Sequence, residues 1–107
     1  MQLNEHKIIL ENEIIRVLKD IYDPEVPVNI YELGLIYGIL IDDSLKATIT
    51  MTLTTPNCPV AESLPIEVKE RVGAIAGITG SHVELTFDPP WSMELLSEEA
   101  RLELGLL

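Results

Sequence analysis

The stretch Leu35 to Thr54, LIYGILIDDSLKATITMTLT, decides the fold. Its second half alternates strictly: Ala47, Ile49, Met51 and Leu53 fall on one parity, and Thr48, Thr50, Thr52 and Thr54 on the other. Successive side chains of a strand point to opposite faces, so Lys46 to Thr54 reads as a strand with one apolar face and one β-branched, polar face. Leu35 to Ile41 reads as its neighbour and Asp42-Asp43-Ser44 as the turn between them, which makes a hairpin. The threonine face reads either as solvated sheet surface or as a face for a second copy. The apolar run Leu33 to Ile41 has nine residues, against about 20 for a membrane-crossing helix. It is read as a buried strand, not an anchor.

Upstream, Leu10, Ile14, Val17, Leu18 and Ile21 lay an apolar stripe along a helix from Ile8 to Tyr22, with Glu11, Asn12, Glu13, Arg16, Lys19 and Asp20 opposite. Asp23-Pro24 should stop it, because proline lacks an amide donor and disfavours helical geometry in the residue before it. The connection that follows, DPEVPVNIYELG, is long and stiffened by prolines, which marks it as a candidate functional loop. Downstream, Leu64, Val68, Val72 and Ile75 form a second stripe, in a helix running from beyond TTPNCP to about Ala76 and stopped by Gly77. Pro65 within this span either sets apart a first turn beginning at Pro59 or bends the helix.

Ser81 to Phe87 (SHVELTF) alternates again and is expected to be a third strand with Val83, Leu85 and Phe87 inward. Strand, helix, strand implies a parallel right-handed crossover. Ser97 is placed to cap a short last helix, Glu98 to Leu104, before Gly105. The expectation is one α+β domain over residues 1–107: a small mixed three-stranded sheet packed by two main helices, in the order α-β-β-α-β-α.

Composition supports a packed core and narrows the function. Of 107 residues, 47% are hydrophobic and 23% charged, and a chain of this size buries roughly 60 to 70% of its unfolded surface. With 5% aromatic residues, the core must be mostly Ile, Leu and Val. Seven Lys and Arg face 18 Asp and Glu, a net charge of −11. That excess repels phosphate backbones and anionic bilayers, so neither nucleic acid nor a membrane surface is the expected partner. One cysteine, Cys58, makes no intramolecular disulfide, and the start MQLNEHKII lacks secretory-signal features, so the expected location is cytoplasmic.

Few residues could carry chemistry. Pro59 suits the first position of a helix, which would put Cys58 at an N-cap, where amides and the helix dipole favour thiolate. A lone cysteine is as readily a small buried hydrophobe. Cys58, His6 and His82 are the only thiol or imidazole ligands, too few for a self-contained zinc site, and both histidines read as surface residues. An iron-sulfur cluster ligated by Cys58 would need another chain or thiol to complete its coordination. Asp23, Glu25 and Glu32 crowd the first loop, where acids are commonly solvated or capping. No phosphate-binding glycine loop, Ser-His-Asp order or paired-carboxylate motif is present, which argues against an ATPase or hydrolase.

Three stretches, Asp23 to Tyr37 (DPEVPVNIYELGLIY), Thr52 to Pro59 (TLTTPNCP) and Phe87 to Trp91 (FDPPW), resemble the SufT/PaaD-like family of iron-sulfur cluster assembly proteins, across about four-fifths of the chain. The resemblance implies a compact α+β fold and a non-enzymatic role in assembling clusters or delivering them to client proteins. It maps the family's pivotal cysteine to Cys58, its loop acids to Asp23, Glu25 and Glu32, and the threonine before its cysteine loop to Thr54. Asn29 and Thr55, in the same two loops, complete the candidate set as supporting residues. The implied cargo is a transient cluster, or iron, shared with another chain. The implied partners are cluster carriers or scaffolds and client apoproteins, with a homodimer left open. The phenylacetate-degradation branch of the family carries further cysteines after this core, and none follows Cys58 here. The rival readings are a metal-free adaptor and a small cysteine-nucleophile enzyme in which His82 would have to reach Cys58.

Overall fold

The computed structural model of the chain describes residues 2–23, 26–54 and 63–105. Helix α1 spans Gln2–Leu18 and is followed by strands β1 (Ile36–Ile41) and β2 (Lys46–Met51), helix α2 (Ser63–Gly73) and strand β3 (Gly80–Leu85). A 3-10 turn at Met93–Leu95 and helix α3 (Glu98–Glu103) complete the described elements. The sheet has the order β1-β2-β3, antiparallel between β1 and β2 and parallel between β2 and β3. This is the mixed sheet and element order expected from the sequence.

The hairpin closes on a side chain. Asp42 Oδ1 accepts from the amides of Ser44 and Lys46, at 2.9 Å each, so the aspartate takes up the donors the turn leaves open. Across β2, Ala47, Ile49 and Met51 are fully buried. Their partners Ile41, Ile39 and Ile36 on β1, and Ser81, Val83 and Leu85 on β3, share their face. Against it pack Leu10, Ile14 and Leu18 of α1 and Leu64, Val68 and Val72 of α2, all buried. Each fully buried aliphatic side chain stabilises the fold by about 1.5–3 kcal/mol.

Several boundaries differ from the sequence reading. Helix α1 ends at Leu18, not Tyr22. Ile21 is buried as its place on the stripe required, but its carbonyl accepts from the Ile30 amide at 2.8 Å, and Tyr22 forms an antiparallel bridge with Asn29. The two arms of the loop thus pair with each other, and the helix gives way before the proline is reached. The choice posed at Pro65 is only partly open to view, because residues 59–62 lie outside the described residues. Pro65 sits in the first turn of α2, where the amide it lacks would have no helical partner. Whether helix reaches back to Pro59, with Cys58 as its cap, lies outside the described residues. Gly77, at φ +98°, follows the helix by four residues, within the turn that leads to β3.

Two burial expectations fail. Leu85, at the end of the edge strand β3, is 40% exposed, and Phe87, which the sequence placed in the strand, lies beyond its end and is 39% exposed. The threonine face is not uniformly solvated: Thr48, Thr50 and Thr54 are half-buried and Thr52 is completely buried. The β1–β2 ladder runs one step past β2, with the Thr52 amide donating to the Leu35 carbonyl at 2.8 Å, which seats Thr52 inside the junction.

Candidate functional site

The loop between α1 and β1 is built around Asn29. Its Oδ1 accepts from the Glu32 amide at 2.9 Å and its carbonyl from the Leu33 amide at 3.0 Å, which winds residues 29–34 into a compact turn. Gly34 closes the turn at φ +81°, and a methyl group there would overlap the Leu95 carbonyl. Glycine is required on both counts.

Glu32 is committed to structure. One carboxylate oxygen accepts from the Ser97 hydroxyl, and the other lies 3.7 Å from Lys19 Nζ. Its carbonyl accepts from the Ser97 amide at 3.0 Å, while Ser97 Oγ also accepts from the Ala100 amide at 3.0 Å, capping α3. Lys19 Nζ stands 5.4 Å from the centre of the Tyr31 ring, which adds a cation–π contact. Glu32 is therefore the joint between the loop, the end of α1 and the start of α3. Asp23 is buried to 3% exposure, and its carbonyl accepts from the Val26 amide at 3.1 Å.

The segment after β3 straps the loop down. Trp91 Nε1 donates to the Leu33 carbonyl at 2.7 Å, and the Tyr37 hydroxyl donates to the Pro89 carbonyl at 2.8 Å. The sequence singled out FDPPW as a motif, but each of its two contacts has a backbone carbonyl on one side, of Leu33 for Trp91 and of Pro89 itself for Tyr37, which no residue type announces. Beside the loop lies a pocket of about 150 Å³ lined by Tyr22, Asn29, Glu32, Glu99 and Glu103.

Of the sequence-derived candidates, Asp23, Asn29 and Glu32 fall in this one loop. Thr54 lies just past the end of β2, two residues beyond the Thr52 amide that bonds to Leu35 at the loop's end. Glu25, Thr55 and Cys58 lie outside the described residues. The histidines are apart from the loop: His82 lies within β3 beside Glu84, at 3.7 Å, and His6 is on the exposed side of α1. Among the described residues, no group of three or more His, Cys, Asp or Glu side chains is placed to hold a metal ion.

This is a three-stranded α+β domain with an early acidic loop locked under a late strap. It superimposes with a TM-score of 0.85 on a crystal structure of a domain of unknown function from Bacillus anthracis, 34% identical, covering 92% of this chain and 94% of that one. Residues 11–98 match the model of the iron-sulfur cluster assembly protein family, and the chain belongs to that family. It is 45% identical over 105 residues to an Fe-S protein maturation auxiliary factor of Porphyromonas gingivalis, covering 98% of this chain and all of that protein. It is also 34% identical over 86 residues to the maturation auxiliary factor SufT of Staphylococcus aureus, covering 80% of this chain and 98% of that protein.

Proposed function

We propose that this protein is a single-domain accessory factor in iron-sulfur cluster assembly or transfer to client proteins, acting through Cys58 and the loop from Asp23 to Glu32. The observation that carries the reading is the family match over residues 11–98, which takes in the loop, the exit of β2 and the strap together. Relatives of nearly the same length named as maturation auxiliary factors support a role in handling a cargo rather than in metabolic catalysis.

The physical logic favours transfer over storage. Iron-sulfur clusters are held by thiolates, and Cys58 is the only thiol in the chain. One thiolate leaves the remaining positions to a carrier or client, so the cargo is held between chains and passes by ligand exchange. The backbone bonds and the Glu32 joint fix the loop's course, and its acids help set the field in which the cargo is handed on. A surplus of eleven negative charges attracts basic surfaces of the assembly machinery at long range and speeds encounter.

Replacing Cys58 with serine should abolish maturation of cluster-dependent enzymes in cells lacking the wild-type protein while leaving the thermal unfolding midpoint unchanged. Normal maturation by that variant overturns the assignment of the thiol. Anaerobic addition of iron and sulfide to the wild-type chain with a carrier should give an absorbing species that the Cys58→Ser chain does not form. A wild-type chain that stays colourless while still binding the carrier is a metal-free adaptor.

A further inference from the structure

The strap does more than hold the loop. Together with β1 it walls an apolar groove of about 480 Å³ lined by Gly34, Ile36, Tyr37, Pro89 and Leu95. The Tyr37 hydroxyl is already spent on the Pro89 carbonyl, so the groove recognises shape and apolar surface. Its walls are fixed in advance by the Trp91 bond to Leu33 and by the close approach of Leu95 to Gly34. A binder then loses little ordering entropy on the protein's side. The same segment exposes further apolar surface, with Phe87 39%, Met93 54% and Leu95 40% accessible. Clustered exposed apolar side chains mark interaction surfaces.

Charge selects the occupant. From Glu84 to Glu103 the chain carries six carboxylates, a single arginine and no lysine, and that Arg101 turns its guanidinium toward the Glu94 carbonyl at 3.4 Å. Asp88 and Glu94, next to the lining residues Pro89 and Leu95, are both exposed. A second copy would bring the same negative surplus, and polyphosphate chains and anionic bilayers are repelled likewise. We infer that this groove docks a polypeptide segment of a partner protein in which a large apolar side chain is flanked by lysines or arginines. The inference does not depend on Cys58.

The test is a titration of the isotope-labelled full chain, followed by amide NMR shifts, with a synthetic peptide bearing a Leu-Leu anchor between paired arginines. A control peptide carries glutamates in place of the arginines. Shifts should centre on Gly34, Ile36, Tyr37 and Leu95, and the control should bind at least about tenfold more weakly. Leu95→Glu should remove binding. Because that variant could also disturb the strap, Asp88→Lys combined with Glu94→Lys, at two exposed positions, should weaken the arginine peptide about tenfold while leaving the unfolding midpoint unchanged. The Cys58→Ser chain should bind as the wild type does, which separates this surface from the proposed thiol site. Equal binding of both peptides, shifts mapping away from the groove, or a second copy covering it in solution would overturn the proposal.

Discussion

Thr52 shows what a single side chain can reveal. It is fully buried, and among the described residues its hydroxyl is the one buried side-chain polar atom without a hydrogen-bond partner. Burying an unsatisfied hydroxyl costs about 1–3 kcal/mol, whereas an isosteric methyl costs nothing comparable. Thr52→Val should therefore stabilise the chain by about 1 kcal/mol, read as a higher urea midpoint at unchanged slope. A lower midpoint would mean that the hydroxyl is satisfied after all. The alternation of KATITMTLT put Thr52 on the polar face of a strand running to Thr54, but β2 ends at Met51 and Thr52 is buried beyond it, a depth that period alone does not give. Only the extra ladder step to Leu35 takes it out of solvent. Glu32 illustrates the same limit. Sequence marked it as a loop acid, yet its hydroxyl partner stands 65 residues away, beyond the reach of any spacing rule.

Elements follow patterning closely where one physical rule dominates. Strand β2 and its hairpin were legible because Asp42 supplies the turn and the apolar alternation supplies the face. The cap of α3 was legible because serine before two glutamates is a local signal, and Ser97 does accept from Ala100. The end of α1 was not. A helical stripe records which residues are buried, and Ile21 is buried beyond the end of the helix just as it would be within it. Ser97 also bonds to Glu32, so Ser97→Ala removes a cap and the hydroxyl donor of a half-buried carboxylate together. That variant should lose about 1–2 kcal/mol and should loosen the loop, seen as faster hydrogen exchange at the Glu32 and Leu33 amides. Faster exchange confined to α3, with the loop amides unmoved, would show that the loop is held independently of the Ser97 hydroxyl.

For the whole molecule, charge is the governing quantity. Hydrogen bonding from Arg16, reinforced by its charge, holds the Glu13 carboxyl below the usual carboxylate range, and Lys7 does the same for Asp43. A carboxylate whose pKa is lower folded than unfolded stabilises the fold above its unfolded pKa, and that stabilisation disappears as pH falls through the folded value. Both groups are exposed, so the effect is small. The melting temperature should fall on acidification below about pH 4, with a shallower fall in a chain carrying Glu13→Gln and Asp43→Asn. Parallel curves for the two chains would assign the acid loss to other groups. The joint between Glu32 and Ser97 has a consequence of another kind, in time. A ribosome delivers the acidic turn early, and its fastening arrives only after 65 further residues. Throughout that interval the turn of the nascent chain lacks the Ser97 half of its joint.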